Sequence, residues 1–179
     1  MVRWILRLVG GLVTGLAALF AVFLVGMRTK HPAVQDRVRR LARDVGNPRV
    51  LRRAGTPGAG ASVIRHTGRV SGRIYETPVV PHAVEGDYLI ALPYGPGADW
   101  VRNVLARGSA TLVHEGTTVT VHSPELVSTA QVASDLPSSE QRTLRLFGVD
   151  ECLRVTAEVA GAPTEPPAPA TLRAAEPRD

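Results

Sequence analysis

The chain of 179 residues contains one cysteine, Cys152. A single thiol can form neither an intrachain disulfide framework nor a cysteine-based zinc cluster, so a hydrophobic core must hold the fold and a reducing compartment is permitted. Cys152 lies between Glu151 and Leu153 with no basic neighbour before Arg154. That context reads as packing, because a nucleophilic thiol needs an electropositive flank. His66, His82, His114 and His122 fall at spacings that make no metal set, so no metal is expected. The chain also lacks a Gly-x-Gly-x-x-Gly opening a helix after its first strand, a P-loop, His-Glu-x-x-His and Gly-x-Ser-x-Gly, and it has no internal repeat.

Acidic residues are scarce where basic ones are dense. Residues 28 to 73 hold twelve Arg or Lys against two Asp, whereas residues 74 to 179 hold seven against fourteen acids. Basicity confined to a block just after an apolar segment points to an anionic membrane surface and membrane lipid, not to nucleic acid. The apolar segment runs from Leu8 to Met27, with Thr14 its one polar member. A helix of that length matches a hydrocarbon core of about 30 Å. It exceeds a usual secretory h-region, and no small-x-small site precedes Arg28. Arg28, Lys30, Arg37, Arg39, Arg40 and Arg43 outnumber Arg3 and Arg7, which predicts a cell-membrane protein with its globular part facing the cytoplasm.

The sequence divides into an anchor over 1–30, a basic amphipathic helix and linker over 31–54, a folded domain over 55–160 and a Pro/Ala-rich tail over 161–179. From Ala33 to Val45, Val34, Val38, Leu41 and Val45 share a helical face opposite Arg37, Arg39, Arg40 and Arg43, and Asn47-Pro48 is expected to end that helix. The face suits either the lipid headgroups or the domain surface. Strands are predicted over Ala61 to His66, Ile74 to Val84, Tyr88 to Leu92, Ala110 to His114, Thr118 to His122 and Cys152 to Val159. Helices are predicted over Asp99 to Arg107, with Asp99 as cap, and over Val127 to Phe147 in two pieces broken near Pro137, with Ser138 or Ser139 capping the second. About six short strands with short inserted helices describe a mainly β (α+β) small barrel, not a doubly wound sheet.

Chemistry concentrates in two stretches. Thr67-Gly68-Arg69-Val70-Ser71-Gly72-Arg73 combines two glycines, two arginines and two hydroxyls, a composition suited to a phosphate or carboxylate clamp whose backbone N–H groups point inward. Arg65 is a further candidate for the cationic mouth. Thr77-Pro78 follows, and then the glycine-rich run from Tyr94 to Asn103.

The order Thr67-Gly68-Arg69-Val70-Ser71-Gly72, Thr77-Pro78, and Trp100 with Asn103 three residues later resembles the deazaflavin-dependent nitroreductase and quinone reductase family. The resemblance covers roughly a third of the chain. It implies a split β-barrel and binding of reduced coenzyme F-420, with FMN the lesser alternative. It further implies that Arg69, Ser71, Gly72, Arg73, Thr77 and Pro78 face the anionic part of the cofactor. Tyr94, Gly95, Ala98, Asp99 and Trp100 map to the ring pocket, with Arg102 and Asn103 nearby as further cofactor-binding residues and Tyr94 the one side chain nominated as proton donor. Hydride transfer to a lipophilic acceptor, a quinone or nitroaromatic, would be the activity; a non-catalytic flavin- or deazaflavin-binding module is the alternative. Related split barrels are often dimers, which leaves a homodimer open. Val70 and Val101 depart from the family's usual basic and aromatic residues at those positions.

Overall fold

The computed structural model describes residues 2–158, so the expected tail lies outside the described residues. Helix α1, Val2–Arg28, contains a stretch Val9–Arg28 that is long and apolar enough to cross a membrane and is almost wholly unburied by the protein. After a turn the chain re-enters helix as α2, Pro32–Leu41, where Pro32 occupies the first turn and its missing N–H costs nothing. The elbow is tight. A Cβ on Gly26 would meet Val34 Cγ2 at 2.7 Å, so no larger residue fits there.

Asn47-Pro48 does not end this helix as expected. The chain passes through a π-helical turn, Ala42–Gly46, into α3, Asn47–Leu51. The Asn47 N–H bonds Ala42 O, a widened turn that starts a new α segment, and Pro48 then sits where no donor is required.

The strands are β1 Ser62–Thr67, β2 Ile74–Val79, β3 Pro81–Val84, β4 Asp87–Ala91, β5 Ser109–His114, β6 Thr117–Ser128 and β7 Glu151–Ala157. They form one antiparallel sheet in the order β2-β1-β5-β6-β7-β4-β3. Residues 74 to 84, expected as a single strand, are two strands on opposite edges, which raises the count from about six to seven. Only Val80 joins them. A one-residue link between outer strands forces the sheet to curl until its edges meet at that point, producing a half-barrel. Pro78 and Pro81 are tolerated because β2 and β3 are edge strands.

Two helix expectations are also corrected. Val127 and Ser128 end β6, where Val127 pairs with Cys152, and only Ala133–Asp135 (3-10) and α5, Ser138–Phe147, are helical in that region. Burial of Val127 and its pairing with β7 outweigh local helical pattern. Neither serine caps α5, which begins after Pro137, and Ala98, not Asp99, is the N-cap of α4, Asp99–Arg107. Asp99 thereby keeps its carboxylate for another partner.

Inside the curl, Ile64, Ile90, Leu112, Leu153 and Val155 pack against Val101 and Val104 of α4. A second cluster of Leu89, Leu136, Leu144 and Cys152 seats α5 on the other face. Cys152 is fully buried, and burial pushes its thiol pKa up, consistent with a packing role. The foot of α1 also docks on α5. Phe23 meets Phe147 edge-on at 6.4 Å, and Arg28 Nη1 donates to the carbonyls of Arg145 and Leu146 at 2.8 and 3.2 Å. Lys30–Asp150, at 2.8 Å but with both side chains about half exposed or more, adds under about 1 kcal/mol.

Leu153→Ala, at a position with no exposed surface, is expected to cost about 2–5 kcal/mol, read as a lower urea midpoint at unchanged slope.

Candidate functional site

A cavity of about 1300 Å³ lies between α2–α3, the 93–98 loop, β2 and α5, and its wall includes Phe23 and Met27 of α1. That exceeds the roughly 300–1,000 Å³ usual for small-molecule sites.

The 67–73 turn closes on itself. Gly68 N–H donates to Arg73 O at 2.7 Å and Gly72 N–H to Gly68 O at 2.9 Å. Those two amides are therefore spent within the turn and are not offered to a ligand, which corrects the inward-pointing reading of the glycines. Gly68 serves packing instead: a Cβ there would stand 2.5 Å from Ser71 Oγ and 2.7 Å from Tyr75 Cε2. Ser71 Oγ and Tyr75 OH share a hydrogen bond of 3.0 Å.

Arg69 is held by two partners. Its Nη2 pairs with Asp99 Oδ1 at 3.0 Å, and its Nη1 and backbone N–H both donate to Asn103 Oδ1, at 3.0 and 3.1 Å. With Oδ1 so occupied, the Asn103 amide can be oriented only one way, and Nδ2 donates to His66 Nδ1 at 3.2 Å. The neutral imidazole then carries its proton on Nε2 and donates to Thr77 Oγ1, 3.2 Å away. His66 is buried, and that burial lowers its pKa, the charge of Asp99 opposing the shift only in part. Tyr75 stacks on the ring at 5.9 Å. Thr77, expected to address a phosphate, takes its first hydrogen bond from His66 and retains its own proton for another acceptor.

The other expected residues separate into two groups. Ser71, Pro78, Tyr94 and Ala98 line the cavity together with Asp99, Trp100, Arg102 and Asn103 of α4. Gly72, Arg73 and Gly95 do not, and Arg65 is paired across the strands with Glu76 at 2.8 Å. Trp100 is half-buried against the core cluster and also contributes to the cavity wall. The Tyr94 phenol has its pKa raised by burial, so it stays protonated and suits a donor, not a base.

Three contributions escaped the sequence reading. Arg39 of α2 crosses to the glycine loop, donating from Nε to Tyr94 O at 3.2 Å and also from Nη2. Phe23 and Met27 bring α1 into the cavity wall. His66 sits on the inward face of β1 in phase with Ser62 and Ile64, and that alternation was the available signal.

No family model and no curated protein matches the chain. Several solved structures align with part of it. An F-420-H2-dependent reductase, 16% identical, aligns over 54% of this chain and 93% of its own with a TM-score of 0.36. A domain-swapped dimer, 14% identical, aligns over 67% and 97% at 0.40. A protein from Clostridium acetobutylicum related to general stress protein 26 of B. subtilis, of the pyridoxinephosphate oxidase family, is 10% identical over 67% and 85% at 0.41. Scores this low give no weight to a functional assignment, which has to come from the residues of the cavity.

Asn103→Ala would strand His66 Nδ1 and the Arg69 N–H, costing about 1–3 kcal/mol of unfolding free energy. Because the folded-state pKa of His66 is depressed, its contribution is intact above about pH 6.5 and is lost as acid protonates the unfolded chain first. Stability should therefore fall with pH below 6.5, and His66→Gln should flatten that slope in thermal melts.

Proposed function

We propose that this protein is a deazaflavin-dependent oxidoreductase, anchored in the cell membrane with its domain in the cytoplasm, that passes a hydride from reduced coenzyme F-420 to a lipophilic acceptor such as a quinone or nitroaromatic. One observation carries the reading: Trp100, Ala98 and Tyr94 share a single cavity with Phe23 and Met27, which belong to the candidate membrane span. An acceptor dissolved in the bilayer would meet that wall without crossing bulk water. The ordered motifs at residues 67–72, 77–78 and 100–103 support the cofactor class.

The residues present fit such a group. The cavity has an aromatic wall at Trp100 and Tyr75, room for a tricyclic ring, and arginines for a phosphate and carboxylates. When bound, the reduced deazaflavin supplies two electrons as hydride. The protein's part is to hold geometry and protons. Trp100 packs a flat ring, and the Asp99–Arg69–Asn103–His66–Thr77 chain fixes β1, β2 and α4 relative to one another. Tyr94 Oη, kept protonated by burial, would deliver the proton that a reduced acceptor requires. Arg39 holds the carbonyl of that same tyrosine and so sets the loop's position.

The test is a fluorescence titration of the full chain in detergent, comparing oxidised coenzyme F-420 with FMN, followed by turnover of the reduced cofactor with a menaquinone analogue. Preference for the deazaflavin and quinone-dependent oxidation are expected; tight binding without turnover would make the protein a binding module. Trp100→Ala should impair both binding and turnover, since ring packing and ring orientation fail together. Removing residues 1–53 should abolish cofactor binding even with a soluble acceptor, because Arg39, Arg43 and Leu51 form part of the wall.

A further inference from the structure

Most cations expected at the 67–73 turn are committed elsewhere. Arg69 is engaged by Asp99 and Asn103, Arg65 by Glu76, and Arg73 stands outside the cavity. A different set of guanidinium groups faces the cavity. Arg39, Arg40 and Arg43 come from the basic helix of α2 and the π turn, and Arg102 comes from α4. Arg39 and Arg102 straddle Gly97: a Cβ built there would lie 3.6 Å from Arg39 Nη2 and 4.0 Å from Arg102 Nη2, close enough for one anion to bridge the two. Asp36 pairs with Arg39 and Asp44 with Arg43, while Asp99 is taken by Arg69. Arg40 and Arg102 make no ion pair among the described residues. Arg40 and Arg102, which line the cavity without an ion-pair partner of their own, supply unneutralised charge for an anion there, beside the paired Arg39.

We infer that the acidic part of the ligand, its phosphate and carboxylates, is gripped between the juxtamembrane helix and α4, by Arg40 and Arg102 with Arg39 as the positioning residue, and not by the 67–73 turn. This rests on the cofactor class proposed above and assigns its anionic end. Arg39 differs from the other two in role, because it also anchors Tyr94 O. The same block of basic residues could serve anionic lipid headgroups, a source of the same phosphate chemistry, so the experiment separates the two.

The full chain in neutral detergent is titrated with oxidised coenzyme F-420 and with its tail-less chromophore, 8-hydroxy-5-deazariboflavin, following tryptophan quenching. Arg40→Gln and Arg102→Gln are each expected to raise Kd for the complete cofactor about tenfold, the loss of one charge-assisted contact. The tail-less chromophore should bind those variants within about twofold of the wild type, and Arg102→Lys should recover much of the loss. Arg39→Gln should weaken both ligands, since the loop loses its anchor. Equal wild-type affinity for the two ligands, or Gln variants that bind the complete cofactor normally, would overturn the inference and leave the proposed function standing. Normal cofactor binding with lost sedimentation on phosphatidylglycerol vesicles would reassign the arginines to headgroups. Wild-type chain that binds neither ligand would overturn both readings.

Discussion

One buried amide organises this molecule's site. Asn103 accepts two hydrogen bonds from Arg69 and donates one to His66, so a single side chain on α4 ties the end of β1 to the turn that follows it. Each of these contacts is modest alone, about 1 kcal/mol for a neutral pair and more where a guanidinium is involved. Their joint effect is to fix an imidazole tautomer, and through it the Thr77 hydroxyl on β2, in a region where unpaired groups would be costly. The aromatic stack of Tyr75 on His66 covers the network from one side.

Much of the half-barrel was legible because its signals are local. The strands predicted over Ala61 to His66, Tyr88 to Leu92 and Ala110 to His114 fall on β1, β4 and β5 within a residue at each end, and α4 has the predicted bounds. The split at Val80 was not legible, since Ile74 to Val84 alternates well enough for one strand, and only the pairing of each half with a different edge distinguishes two. Val127 reads as helix by neighbourhood and is strand by its pairing with Cys152. At the site, the sequence placed Trp100, Asn103 and Arg69 in the same neighbourhood. It did not show that Arg69 is consumed by Asp99 and Asn103, because ion pairing between residues thirty apart is a property of the folded geometry.

The basic helix is where sequence reasoning offered a choice and the structure takes one side for part of its length. Val38, Arg39 and Leu51 turn toward the domain and close the cavity, while Leu41 and Val45 remain exposed. The π turn between α2 and α3 makes this feasible, since it shifts the helical phase and lets the chain pass Pro48 without unravelling. The helix is thus at once a boundary of the cavity and a cationic surface beside the span.

The docking of Phe23 on Phe147, with Arg28 on the carbonyls of α5 one and a half turns later, fixes both the rotation and the depth of α1 relative to the domain. Adding or deleting one residue between them would swing Phe23 by about 100° and displace it by about 1.5 Å. Helix α1 is consequently not interchangeable with another apolar helix. A foreign apolar helix of equal length would leave a gap in the chamber wall where Phe23 and Met27 stand, so the candidate span and the cavity share one helical turn.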